Sequence, residues 1–175
     1  EAVRQYAKAI QYDPGYYKAY VNISLLLEDL GRIAEAIDYY KKALEIHPAS
    51  VKSRYNLANL LFKKGRYDGA IKHYQGVLAH NPSHTRALNN IGLAYYRVEK
   101  FEKAISVLNQ ALAIEPGNAD THTNLGVVFM AASSRQKAIE HFRRAMSIDP
   151  ANQRAQKNLL KALLGQESAE KQSTE

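Results

Sequence analysis

Residues 83–116 read SHTRALNNIGLAYYRVEKFEKAISVLNQALAIEP, and the 34-residue length of this stretch is the period of the chain. Pro116 closes it, and the only other prolines are Pro14, Pro48, Pro82 and Pro150, so successive prolines stand 34 residues apart. Proline lacks an amide donor and its ring clashes with the preceding turn, so each marks a helix end. Five helix stops at one interval mean internal repetition, which decides the fold ahead of local propensity.

The second half of the quoted stretch places Ala104, Leu108, Ala111 and Leu112 at i, i+4, i+7 and i+8, one apolar stripe along a helix. The same places hold Ala2, Tyr6, Ala9 and Ile10; Ala36, Tyr40, Ala43 and Leu44; Ala70, Tyr74, Val77 and Leu78; Ala138, Phe142, Ala145 and Met146. A β-branched residue always follows the leading alanine: Val3, Ile37, Ile71, Ile105, Ile139. The first half has its own stripe, Leu88, Ile91, Gly92 and Tyr95, with Ser24, Ala58 and Gly126 matching Gly92 in the other units. A small residue between large ones lets a second helix approach closely. Between the halves Gly31 and Gly65 suit a helix C-cap, where the later units have Glu99 and Ser133. Each unit therefore reads as two antiparallel helices of about fourteen residues, each about 21 Å long. The inner turn of the fourth unit, residues 131–134, is expected to be the softest.

This pattern resembles the tetratricopeptide repeat family: a 34-residue period, a small residue at the eighth position, alanines at the twentieth and twenty-seventh, and proline at the thirty-second. Departures are Ser24 and Ala58 for glycine, Leu108 for an aromatic ring and Val77 for alanine. The resemblance implies an all-α fold, a right-handed α-solenoid of stacked antiparallel helix pairs. The expected organisation is the second helix of a truncated repeat (1–14), four repeats (15–48, 49–82, 83–116, 117–150), a C-terminal capping helix (151–164) and a disordered tail (165–175). The lone second helix at the start leads us to expect a longer parent protein. The cap is read from Leu160, which stands where a following helix would need a small residue.

Composition narrows the function classes. Of 175 residues 46% are apolar, too many for a disordered chain. No stretch reaches the ~20 apolar residues that span a bilayer. The absence of cysteine excludes disulfides, thiolate zinc sites and cysteine nucleophiles, and leaves the compartment open. The net charge of +7 is spread evenly, with 12 basic and 8 acidic residues in 1–82 and 12 and 9 in 83–175. Such a spread gives a modest positive field, not a nucleic-acid footprint.

The resemblance further implies that the first helices line a concave groove through their second, fifth, sixth, ninth, twelfth and thirteenth positions. The sixth is asparagine five times: Asn22, Asn56, Asn90, Asn124 and Asn158. A row of amides can clamp the main chain of an extended peptide, whose N–H and C=O groups need partners once desolvated. The same asparagines can instead bond neighbouring helices, and both roles stay open here. The row is similar to the asparagine ladder of O-linked N-acetylglucosamine transferases. Around it Tyr55, Phe62, Leu93, Tyr96, Val127 and Met130 offer apolar surface, Asn59 and Asn89 further amides, and Lys18, Lys52, Lys63, Arg86 and Arg97 positive charge. The expected ligand is an extended or partly helical protein segment with acidic and apolar residues. A carboxylate clamp of the kind some family members use fails at Tyr55, Asp120 and Asn124.

No Gly-rich phosphate loop or metal motif appears, so no enzyme activity, cofactor or metal is expected. His80 and His84 are separated by Pro82, which breaks the helix a metal pair would need. Structural roles are expected for all six histidines, with His73 and His141 near solvent-facing positions and His122 at an inter-helix packing position. The alternatives are self-association or assembly through the solenoid ends and, less favoured, RNA binding by helical repeats; membrane insertion is not expected.

Overall fold

A computed structural model describes residues 2–172, with side chains through residue 164. The described residues form ten helices and no strand, so the chain is all-α. These are α1 (Ala2–Tyr12), α2 (Tyr17–Asp29), α3 (Ile33–Ile46), α4 (Val51–Lys63), α5 (Tyr67–His80), α6 (Thr85–Arg97), α7 (Phe101–Ile114), α8 (Ala119–Ala131), α9 (Arg135–Ile148) and α10 (Gln153–Gln172). First helices begin at residues 17, 51, 85, 119 and 153, and second helices at 33, 67, 101 and 135, each series stepping by 34.

The chain divides into two compact units, residues 1–87 and 88–175. In the first, α2 packs on α3 and α4 on α5, with α3 against α4 and α1 against α2. Its core includes Ile23, Leu27, Tyr40, Leu57 and Tyr74. In the second, α8 packs on α9, with α7 and α10 on either side of that pair. Leu108, Leu125, Val128, Ile139, Phe142 and Ala162 form its centre.

The small eighth position sets how closely a pair packs. A Cβ on Gly126 would lie 2.4 Å from the Phe142 ring, and one on Gly92 would lie 2.5 Å from Leu108. Ser24 and Ala58 hold the same place in the first unit, both fully buried. The residue sixteen further on, Tyr40 or Tyr74, is again the large partner.

Every inner turn is a left-handed cap. Gly31 and Gly65 have φ of 74° and 73°, and Glu99 and Ser133 adopt 58° and 57° at the equivalent places. The hydrogen bonds match as well: Gly31 N donates to Glu28 O and Arg32 N to Leu27 O, as do Ser133 N to Met130 O and Ser134 N to Phe129 O. Each pair satisfies carbonyls that the helix end leaves without partners. Helix starts are capped from the residue two after proline, where Ser50, Asn118 and Asn152 accept from the amides of Ser53, Thr121 and Ala155.

One expectation is corrected. The sequence pattern predicts a capping helix that ends at residue 164 and a disordered tail over 165–175, whereas α10 continues to Gln172. Gly165 costs a helix about 1 kcal/mol, but glutamine, glutamate, alanine and lysine after it are all good helix formers. Residues 173–175 of that tail lie outside the described residues.

Candidate functional site

Consecutive first helices place their groove positions side by side within each unit. In the first unit α2 and α4 flank an open depression of about 310 Å³ lined by Tyr16, Tyr17, Lys18, Val21, Asn22, Ser50, Lys52 and Ser53. Its lining mixes Val21 and two tyrosine rings with the polar Asn22, Ser50 and Ser53, and the exposed Lys18 and Lys52 carry its positive charge. In the second unit Tyr96, Val127, Met130, Ala131, Phe142, Asn158 and Lys161 line a depression of about 290 Å³. The structure thus brings Lys18, Asn22 and Lys52 together in one place, and Tyr96, Val127, Met130 and Asn158 in another.

The asparagine row divides between the two roles its sequence allowed. Asn56 Nδ2 donates to the Tyr40 hydroxyl at 3.0 Å. Burial pushes that hydroxyl up to about 12, and the Asn56 contact opposes the rise. Asn59 Oδ1 accepts from the Tyr74 hydroxyl at 2.6 Å. Both amides therefore serve buried tyrosines of α3 and α5. Asn124 is 3% exposed. Its Nδ2 donates to Asn89 Oδ1 at 2.9 Å, Asn89 Nδ2 donates to Thr121 Oγ1 at 2.7 Å, and Arg154 donates to Asn124 Oδ1. This relay ties α6, α8 and α10 together, so Asn124 is a fastening between first helices and not a rung open to a ligand. The expectation that Asn124 lines the groove is corrected to this inter-helix role, one of the two its sequence leaves open. Asn22 and Asn158 face the two depressions, and Asn90 is half-buried on α6.

Several of the remaining groove residues have neighbours of their own. Lys63 pairs with Glu28 at 2.6 Å, linking α2 to α4. Phe62 meets Tyr67 edge-on with ring centroids 5.2 Å apart. Tyr55 lies between Tyr74 and His84 at 5.7 and 5.0 Å. Arg97 sits over the Tyr96 ring at 6.0 Å, and Arg86 is exposed while Leu93 is half-buried. Six lining residues, Tyr16, Tyr17, Ser50, Ser53, Phe142 and Lys161, stand outside the groove residues expected from sequence. Lys161 occupies a ninth position, the place of Leu25 and Val127, so the register itself carried the signal.

Among the described residues no group of three or more His, Cys, Asp and Glu side chains could hold a metal ion, and no helix is long and apolar enough to cross a membrane. His141 and His73 differ from their expected solvent-facing placement. Both are half-buried against the first helix of their own pair, because position twenty-three packs onto position four: Tyr39 on Tyr20, His141 on His122. Burial lowers the pKa of His73, and Arg54 lowers it further.

A family model described as tetratricopeptide repeat matches residues 55–119 and 93–153, and a second, described as TPR repeat, matches 26–65. No curated protein matches the chain. Among solved structures, residues 41 to the end of MamA from Desulfovibrio magneticus RS-1 are 24% identical with a TM-score of 0.80, covering 86% of this chain and 85% of that one. At that identity the likeness shows the fold alone. Cut9, in the APC/C hetero-tetramer Cut9–Hcn1, is 25% identical with a TM-score of 0.76, over 90% of this chain and 32% of that one. The first TPR of Spaghetti (RPAP3), bound to the HSP90 peptide SRMEEVD, is 26% identical with a TM-score of 0.63, over 66% of this chain and 91% of that one.

Proposed function

Because the chain belongs to the tetratricopeptide repeat family, whose model matches more than half of its length, we propose that it is a non-catalytic scaffold. Its ligand is an extended or partly helical protein segment with acidic and apolar residues, held on the first-helix faces. The observation that carries this reading is the pair of open depressions, each with aromatic or aliphatic walls and lysine at its edge: Tyr17, Val21, Lys18 and Lys52 in one, Tyr96, Val127, Met130 and Lys161 in the other. Apolar walls supply affinity by removing ligand surface from water, and the lysines select acidic residues and speed encounter. Helices that are already ordered lower the entropic cost of catching a flexible segment.

A peptide-bound relative supports this class of partner, since the similar Spaghetti repeat was solved with an HSP90 peptide. A tail-carboxylate grip is a poor fit for this chain. Asp120 stands where that grip needs a cation, and Asn124 is held by Asn89 and Arg154. The ligand's interior residues are then the ones recognised. The test is a pull-down that sequences the captured segment, followed by calorimetry with that segment as a synthetic peptide. Lys18→Glu with Lys52→Glu is expected to weaken binding at least tenfold at low salt, with the difference shrinking as salt rises. Unchanged affinity would remove the first depression from the site.

A second reading is assembly through the end of the second unit, favoured by one observation: Leu160 and Leu164 of α10 are 58% and 53% exposed. Light scattering separates the two, because Leu160→Lys abolishes self-association in that case and leaves peptide affinity alone in the first.

A further inference from the structure

Position four of the first helix meets position twenty-three of the second in the first and fourth repeats, and the four repeats fill these two places differently. The pairs are Tyr20 with Tyr39, Arg54 with His73, Leu88 with Val107, and His122 with His141. Only the last brings two imidazoles together, with their Nδ1 atoms 3.0 Å apart. His122 Nε2 lies 3.2 Å from the carbonyl of Pro116. A carbonyl only accepts, so Nε2 carries the proton and His122 Nδ1 presents a lone pair toward His141. A backbone carbonyl behind the ring is the arrangement that orients a metal-ligating histidine. His141 is steadied from its other face by Phe129, stacked at 5.3 Å.

From this geometry we propose that His122 and His141 form a two-imidazole chelate for a borderline divalent transition-metal ion, clasping α8 to α9. Metal–imidazole bonds are about 2.0–2.1 Å, so two nitrogens on one ion lie about 2.9 Å apart at a right angle and about 3.4 Å apart at a tetrahedral angle. The observed separation falls inside that span. Without metal, His141 Nδ1–H donates to His122 Nδ1. With metal, the His141 proton moves to Nε2 and both Nδ1 lone pairs bind the ion, so both rings stay neutral and no net proton is released. Water completes the coordination, since the protein supplies two ligands. Imidazole nitrogens suit Cu²⁺, Ni²⁺ and Zn²⁺, and the usual order makes Cu²⁺ the tightest. Burial keeps both rings uncharged near neutrality and therefore competent as ligands. Of the neighbouring charges on α9, Arg144 opposes a cation and Glu140 favours one.

The test is calorimetric titration of Zn²⁺ and Cu²⁺ into the full chain, with the thermal midpoint followed in parallel. One site per chain is expected, with a rise in midpoint on Zn²⁺ addition. His122→Leu with His141→Val, the pair the third repeat already uses, keeps the packing and is expected to abolish both signals. His122→Tyr with His141→Tyr, borrowed from the first repeat, serves if that variant folds poorly by circular dichroism. His80→Gln with His84→Gln is expected to leave both signals in place. Absence of a site in the unaltered chain, retention of it in the substituted pairs, or its loss in the His80/His84 variant would each overturn the proposal.

Discussion

Four inner turns with one geometry but two kinds of residue make a graded test of the register. At Gly31 and Gly65 the left-handed conformation carries no penalty, whereas Glu99 and Ser133 hold φ of 58° and 57° with a Cβ. An L-residue with a side chain pays roughly 1–2 kcal/mol for this conformation. Changing it to glycine recovers that amount but frees the unfolded chain, which takes back about 0.4–1 kcal/mol. Ser133→Gly and Glu99→Gly are thus expected to stabilise by about 0.5–1 kcal/mol each, and Gly31→Ala to destabilise by about the same. A Cβ at Gly31 or Gly65 meets nothing within 4 Å, so the effect is conformational and not steric. For a chain of this size the thermal midpoint moves by about 2–4 °C per kcal/mol. Urea denaturation of the three single variants, with midpoints compared at constant slope, provides the measurement. If Ser133→Gly destabilised while Gly31→Ala changed nothing, the claim of one shared turn would be refuted.

Three further outcomes follow from named contacts. Asn124→Ala removes the donor to Asn89 Oδ1 and the acceptor for Arg154 and is expected to cost about 1–3 kcal/mol by chemical denaturation while peptide affinity stays level; a lost peptide with unchanged stability would restore Asn124 as a rung. Ala70 is fully buried, so Ala70→Leu overpacks the α4–α5 seam by about 1–3 kcal/mol, and a neutral result would mean the register is misplaced. Burial lowers the pKa of His73, His122 and His141 from the ordinary 6.5. The unfolded chain then binds more protons than the native one as pH falls below that value, so stability is full above it and declines toward pH 5. Melting at pH 7.5, 6.5 and 5.5 is expected to show a falling midpoint, less so in His122→Leu with His141→Val; a flat profile would contradict the burial.

The helical layout was legible because a covalent marker, proline, and a steric one, the small eighth residue, both recur at 34 residues. The turns at Glu99 and Ser133 were legible only through that period, since neither residue type favours positive φ. The asparagine row shows where legibility stops. Asn56 and Asn124 look alike along the chain, yet one faces the Tyr40 hydroxyl and the other is caught between Asn89 and Arg154. Those partners lie 16 to 35 residues away and differ from repeat to repeat, so no local pattern distinguishes them. The contact of His122 with His141 was hidden for the same reason: nineteen residues separate two rings that the hairpin brings into register. The helix beyond Gly165 is hidden by its polarity, which is also that of a disordered tail, although most residue types there are helix formers.

The central claim is that ligand lies on the faces of the first helices. Backbone amide shifts of the labelled chain, recorded by two-dimensional NMR during titration with the captured peptide, test it most directly. Perturbations are expected on α2 and α4 around Lys18, Asn22 and Lys52, and on α6, α8 and α10 around Tyr96, Val127 and Lys161. Shifts confined to α3, α5, α7 and α9, or to Leu160 and Leu164, would contradict it.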